Sequence, residues 1–77
     1  MEYNQDKVDE MVLALLYLTL HDGQRAWKGH DWEALGRLHE KGLISDPVGK
    51  AKSVVLSERG LKLCEEFFQK HFGAAAK

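Results

Sequence analysis

The stretch DWEALGRLHEKGLISDPVGKAKSVVLSERG, residues 31–60, decides the fold. Asp31 is typical of a helix N-cap, because its carboxylate can accept hydrogen bonds from the free backbone amides of the first turn. Gly42 can adopt the left-handed backbone conformation that ends a helix. Between them the residues recur with helical periodicity. The pattern predicts a helix from Trp32 to about Lys41.

The second half of the same stretch predicts a β-hairpin. Leu43-Ile44 opens an extended segment, Asp46-Pro47-Val48-Gly49 contains the residues that favour turns, and Ser53-Val54-Val55-Leu56 is rich in β-branched side chains. Ser57 then has the chemistry of an N-cap for a last helix.

Helices are also predicted on both sides of this stretch. Apolar residues recur at three- and four-residue intervals from Asp6 to about His21, and again from Ser57 to near Gly73. The segment Gln24 to His30 lacks periodicity and is interpreted as a connector with about one helical turn. The predicted core consists of Leu15, Leu16, Leu35, Leu38, Leu43, Val55, Leu56 and Leu61.

The order helix, helix, hairpin, helix resembles the winged helix-turn-helix transcription regulators of the MarR and PadR kind. The phrase that carries the resemblance is Leu35-x-x-Leu38-x-x-x-Gly42-Leu43-Ile44, followed by Val55-Leu56-Ser57-x-x-Gly60. It implies an α+β, winged-helix-like fold. Because His21 to Gly42 has space for one full helix rather than two, the helix-turn-helix is expected to be shortened.

The whole chain also resembles a family of small bacterial proteins known as a domain of unknown function. The phrases that carry this second resemblance are Leu15-Leu16-Tyr17-Leu18-Thr19-Leu20-His21-Asp22-Gly23, Trp27-Lys28-Gly29, Asp31-Trp32 and Ser45-Asp46-Pro47-Val48-Gly49-Lys50-Ala51-Lys52-Ser53. This resemblance implies no activity.

Length and charge restrict the possible functions. With 77 residues the chain is expected to form a single domain, residues 1–77. Its 44% apolar and 30% charged residues are ordinary for a globular protein. Eleven basic and twelve acidic residues give a formal charge of -1, so the chain has no overall positive field to attract nucleic acid or an anionic membrane.

A cytoplasmic location is expected. Cys64 is the single cysteine, which excludes an internal disulfide and is typical of a reducing compartment. The apolar run Met11 to Leu20 is about half the length that a membrane-spanning helix requires. The segment before it is acidic, whereas a secretory signal begins with positive charge. No membrane partner is predicted.

The resemblance to regulators implies candidate DNA contacts. The helix Trp32 to Lys41 would enter the major groove with Arg37 and Lys41, and Lys50 and Lys52 would contact phosphates from the wing. Glu33, Glu40 and Asp31 interrupt this surface with negative charge. Nucleic-acid binding is therefore possible but not favoured, and solvated lysines are the preferred interpretation.

Catalytic and metal-binding patterns are absent from the sequence. His21, His30 and His39 are nine residues apart, which matches no zinc-ligand spacing. Cys64 lies on an apolar helical stripe, where an inert buried thiol is the default. We expect no enzyme activity, no metal and no cofactor. Trp27 and Trp32 are expected to pack into the core, although an exposed recognition surface is the alternative.

Apolar side chains of the first and last helices exceed what so small a core can cover. The surplus suggests a homodimer, because subunit interfaces of obligate dimers resemble a core cut in half. The candidate interface residues are Leu13, Tyr17, Phe67, Phe68 and Phe72. The alternative is that these helices cover one another within one chain. The sequence thus favours a self-associating protein-interaction domain, with a DNA-binding regulator as the alternative.

Overall fold

The computed structural model describes residues 1–73, which form three helices and a two-stranded antiparallel sheet. The helices are α1 (Gln5–Leu16), α2 (Trp32–Glu40) and α3 (Glu58–Phe72), and a 3-10 turn at Tyr17–Thr19 extends α1. The strands are β1 (Arg25–Trp27) and β2 (Ser53–Val55). This layout confirms the predicted α+β class and is consistent with a winged-helix-like arrangement.

The sheet is not the predicted hairpin, because the main partner of β2 is β1 and not the segment that begins at Leu43-Ile44. β2 pairs with β1, and Ala26 lies opposite Val54 at the centre of the register. The predicted strand at Leu43-Ile44 is reduced to a single bridge between Ile44 and Leu56. The interpretation of residues 24–30 as a connector with a helical turn is therefore wrong. A strand of only three residues is too short to show periodicity in the sequence.

The core joins all three helices to the inner face of the sheet. Its buried apolar side chains are Val12, Leu13, Leu16, Ala26, Ala34, Leu35, Leu38, Leu43, Ile44, Val54, Leu56 and Cys64. Five of the eight predicted core residues are among them. Leu61 packs against this cluster while partly buried, and Leu15 is also half-buried. Val55 is the clear error, because β2 alternates and turns this side chain outward.

The predicted ends of α2 and α3 are confirmed, whereas the first helix, predicted to reach about His21, ends at Leu16 and continues only as a 3-10 turn to Thr19. Asp31 accepts a hydrogen bond from the amide of Ala34 at 3.0 Å, and Ser57 Oγ accepts one from the amide of Gly60 at 3.0 Å. Gly42 has a φ of 75°, the left-handed conformation that glycine adopts at low cost. These local interactions set where α2 ends and α3 begins.

The start of α3 is docked directly on the turn that follows α2. Ser57 donates from its amide to the Leu43 carbonyl at 3.0 Å and from Oγ to the Gly42 carbonyl at 2.8 Å. Gly60 lies so close to this turn that a Cβ added to it would be 2.0 Å from the Leu43 oxygen. Glycine is required there because the backbones touch. Within residues 1–73, none of the helices is long and apolar enough to cross a membrane.

Candidate functional site

Three aromatic rings form a row along the outside of α3. The Tyr17 and Phe68 rings stack with centroids 4.8 Å apart, and Phe72 follows Phe68 at 5.4 Å. Tyr17 and Phe68 are half-buried, whereas Phe72 is 43% exposed. We call Tyr17, Phe68 and Phe72 the aromatic row. It leads from the end of α1 to the exposed end of α3.

Two of the five predicted interface residues lie elsewhere. Leu13 is fully buried within the chain, so the expectation that it would face a partner is wrong. Helix α1, which contains Leu13, carries apolar residues on two sides because α2 and α3 both pack against it. Phe67 packs partly buried against the core. The remaining three residues are those of the aromatic row.

A charged cluster fixes the end of α3 beside the aromatic row. Lys70 Nζ donates to Glu10 Oε2 at 3.1 Å, and the His71 ring nitrogen Nε2 contacts the same oxygen. The hydrogen bond from His71, followed by that from Lys70, lowers the pKa of the Glu10 carboxyl below its ordinary value. This cluster links α1 to the last turn of α3.

A buried ion pair joins α1 to α2. Asp9 is 1% exposed, and Arg37 Nε donates to its two carboxylate oxygens at 3.0 and 2.8 Å while Nη2 donates to Oδ1 at 2.8 Å. Hydrogen bonding to Asp9 raises the pKa of the Arg37 guanidinium. Lys41 Nζ lies 3.6 Å from Asp9 Oδ2. Asp9 was missed from the sequence, although its spacing to Val12 and Leu16 places it on the buried stripe.

This ion pair separates the four candidate DNA contacts into two groups. The structure brings Arg37 and Lys41 together around Asp9, where Arg37 already uses two of its nitrogens. Lys50 and Lys52 lie exposed on the turn before β2. A base-reading role for Arg37 would require it to leave Asp9.

The outer face of the sheet carries an exposed indole. Arg25, Trp27 and Val55 alternate with the buried Ala26 and Val54 and therefore point outward. Trp27 is 50% exposed, with its ring centroid 4.9 Å from that of His21. Trp32, at the start of α2, is 56% exposed. The expectation that both tryptophans pack into the core is wrong.

Lys28 holds the turn between Ile44 and β2 in place. Its Nζ donates to the Pro47 carbonyl at 2.6 Å and to the Gly49 carbonyl at 3.0 Å. Asp46 closes the start of the same turn by accepting from the amide of Val48 at 2.9 Å. The sequence predicted the turn but not the lysine that anchors it, because the two segments are about twenty residues apart.

A cleft of about 250 Å³ opens between α1, the end of α2 and α3. Its apolar wall consists of Leu13, Leu38, Leu43, Leu63 and Phe67, and its charged rim of Asp6, Asp9, Glu10, Lys41 and Arg59. Asp9 and Glu10 are the acids of the two ion-pair clusters described above. The cleft thus lies between these two clusters.

The comparisons with known proteins identify a family. Residues 4–74 match the family described as "Domain of unknown function (DUF6429)". The chain belongs to this family. It is also similar to "Uncharacterized protein y4hR" of Sinorhizobium fredii, with 57% identity over 72 residues that cover 94% of this chain and 97% of that protein. No solved structure shows a significant match. The predicted resemblance to a small family of unknown function is confirmed, and that to MarR and PadR regulators stays a prediction.

The single cysteine of the chain, Cys64, is buried in the core. Cys64 is fully buried, and burial raises the pKa of its thiol to about 11. A thiol with so high a pKa is a poor nucleophile at neutral pH. Among residues 1–73, no three histidine, cysteine or acidic side chains cluster in a way that could hold a metal ion.

Proposed function

We propose that this protein is a non-enzymatic protein-interaction domain that self-associates as a homodimer through the aromatic row. The single observation that carries the proposal is the exposure of Phe72 at the end of a series of three neighbouring rings, of which Tyr17 and Phe68 are stacked and Phe72 is tilted. Aromatic residues are enriched at the centre of protein interfaces, where they bury a large area with few rotatable bonds. A cytoplasmic location is part of the same proposal.

A two-fold dimer would use the aromatic row twice. In such a dimer the same patch of both protomers meets itself, so each ring contributes to both halves of the interface. Phe68 and Tyr17 are held by stacking, and Glu10 holds the last turn of α3 through Lys70 and His71. The patch is therefore ordered before association, which lowers the entropic cost of binding.

Light scattering across the micromolar range tests this proposal. The wild-type protein is expected to give twice the chain mass of 8.8 kDa. Phe72→Ser removes an interface ring from both protomers, at about 1–2 kcal/mol each, which weakens the dimerisation Kd by about 30- to 1000-fold. The matched control is Val48→Ser, because Val48 is also exposed but lies on the turn.

Either of two results would contradict the homodimer. The first is a wild-type mass of 8.8 kDa at every concentration. The second is a dimer that Val48→Ser weakens as much as Phe72→Ser does. Circular dichroism of both variants verifies that they remain folded.

A DNA-binding regulator is the alternative function. The observation that favours it is the pair of exposed lysines, Lys50 and Lys52, on a turn that Lys28 fixes to the sheet. In this function the helix Trp32 to Lys41 would be the recognition helix. A selection from random duplex DNA at physiological salt tests it. A distinct motif bound with nanomolar affinity would support it, provided that Lys50→Ala/Lys52→Ala reduces the slope of log K against log salt concentration by about two.

A further inference from the structure

The basic and acidic residues of this chain are segregated. Residues 23–30 and 47–57 contain four basic residues, Arg25, Lys28, Lys50 and Lys52, and no acidic residue. The rest of the chain holds seven basic residues and all twelve acidic residues. The two acid-free segments are the ones that pair as β1 and β2. The fold therefore brings four basic residues together on two paired segments of a chain whose net charge is -1, with the acids Asp22, Asp31, Asp46 and Glu58 at the ends of these segments.

The same surface presents the exposed indole. Arg25 and Trp27 stand two residues apart on the outward side of β1, and Val55 lies opposite Arg25. We give the name basic sheet face to Arg25, Trp27 and Val55 of the strands together with Lys50 and Lys52, the exposed lysines of the turn that leads into β2. His21 covers one side of the Trp27 ring, with centroids 4.9 Å apart, while half of the indole stays exposed. A flat ring beside positive charge is the combination that binds nucleobases and phosphates.

Part of each edge of the sheet is already hydrogen-bonded. On the outer side of β1, His21 and Arg25 exchange two backbone hydrogen bonds of 2.8 and 3.0 Å, and the Trp27 amide donates to Thr19 Oγ1 at 3.1 Å. On the outer side of β2, the Ser45 amide donates to the Val55 carbonyl at 2.8 Å. A peptide would have difficulty adding as a further strand, because these backbone groups are taken. A ligand of this face must be recognised by side chains.

The distribution of acids favours a single strand over a duplex. Asp31, Glu33 and Glu40 lie on or beside α2, the helix that a duplex would have to contact together with the turn. A single strand is narrow enough to follow the sheet and the turn alone. Of the four acids that flank the two segments, Asp22, Asp31, Asp46 and Glu58, two already accept a backbone amide: Asp31 at 3.0 Å and Asp46 at 2.9 Å.

We propose that the basic sheet face binds single-stranded nucleic acid, with Trp27 stacking on a base and Arg25, Lys50 and Lys52 contacting phosphates. Lys28 positions the turn through the Pro47 and Gly49 carbonyls, so that the two turn lysines have a fixed support. Binding of this kind requires no sequence readout, since every base has a face on which an indole can stack. The proposal uses none of the residues of the aromatic row and does not depend on self-association.

Fluorescence anisotropy with labelled oligonucleotides tests the proposal on the wild-type protein. The probes are oligo(dT) and oligo(U) of about ten nucleotides, a duplex of equal length and a glutamate-rich peptide, at about 50 mM salt. We expect at least one single strand to bind with a micromolar Kd, more tightly than either the duplex or the peptide. Whichever of oligo(dT) and oligo(U) binds more tightly then identifies DNA or RNA as the preferred ligand.

Variants identify the residues that make the contact. Trp27→Ala should weaken binding on the order of tenfold or more, and Trp27→Phe should recover most of it because a ring remains to stack. Trp32→Ala is the matched control, because this indole is 56% exposed but lies on α2 among acids. Lys50→Ala/Lys52→Ala should reduce the slope of log K against log salt concentration by about 1.4, because each phosphate contact with a single strand contributes about 0.7.

Several results would overturn the proposal. They are the absence of single-strand binding at about 100 µM protein, tighter binding of the duplex or of the acidic peptide, and equal losses for Trp27→Ala and Trp32→Ala. Thermal unfolding of each variant verifies that a loss of binding is not a loss of folding. The homodimer is tested separately by its mass, so the two proposals can fail independently.

Discussion

Gly60→Ala should destabilise the protein because the new methyl group would collide with backbone. The added Cβ would be 2.0 Å from the Leu43 carbonyl oxygen and 2.9 Å from its carbon, and neither atom can rotate away. To restore a normal contact, α3 must move by about 1 Å from the turn. The hydrogen bond from the Ser57 amide to the Leu43 carbonyl, now 3.0 Å long, would then exceed hydrogen-bonding distance.

The expected cost of Gly60→Ala is about 2–3 kcal/mol. Lost hydrogen bonds contribute about 1 kcal/mol each and the displaced core contacts a further 1–3 kcal/mol, offset by less than 1 kcal/mol from the better helix propensity of alanine. That is a large share of the stability of a domain this small. Urea unfolding followed by circular dichroism should show a midpoint about 2 M below the wild type.

Gly36→Ala is the matched control for this variant. Gly36 lies inside α2, and a Cβ there would meet nothing within 4 Å. Alanine should therefore stabilise the protein by about 0.5–1 kcal/mol, since glycine is unfavourable in a helix interior. A Gly60→Ala protein that unfolded at the wild-type midpoint, or together with Gly36→Ala, would show that α3 does not dock on Leu43 as described.

Three further predictions concern the ion pairs and the thiol. Asp9→Asn leaves the Arg37 guanidinium facing a neutral amide in a buried site, and should lower the free energy of unfolding in urea by about 2 kcal/mol. Asp6→Asn is the control and should change little, because the Asp6 side chain is 91% exposed. Equal effects of the two substitutions would refute the role of Asp9. The lowered pKa of Glu10 contributes stability that is present above its ordinary value of 4.5 and is lost as pH falls through the folded value. Wild type should therefore exceed Glu10→Gln in stability at about pH 6, and the difference should close as the pH falls below 4.5 and through the lowered pKa of the folded state. An unchanged difference would count against the cluster. Cys64 should react with a disulfide reagent at about pH 8 only after unfolding, because its thiol is buried and its pKa is about 11; rapid labelling of the native protein would contradict its burial.

Local chemistry made the helices predictable from the sequence. Asp31, Gly42 and Ser57 act through neighbours three or four residues away, so their side chains alone indicate where helices begin and end. Leu35 and Leu38 follow from helical periodicity in the same way. The α+β class could be predicted from these signals together with the β-branched run at β2.

Interactions between distant segments could not be predicted. β1 contains one buried residue, Ala26, so nothing in its three residues signals a strand until β2 is beside it. The buried position of Asp9 depends on Arg37, 28 residues away. The size of Trp27 predicts a place in the core, whereas strand alternation turns it outward. The candidate surfaces therefore had to be identified from the structure.

The central claim is that the aromatic row forms the contact between two protomers. The most direct measurement is an isotope-filtered NOE experiment on a mixture of labelled and unlabelled protein, which detects only contacts between chains. We predict cross-peaks from the ring protons of Phe68 and Phe72 in one protomer to the aromatic row of its partner. Intermolecular cross-peaks confined to other residues, or none at concentrations where light scattering gives a dimer, would contradict the claim.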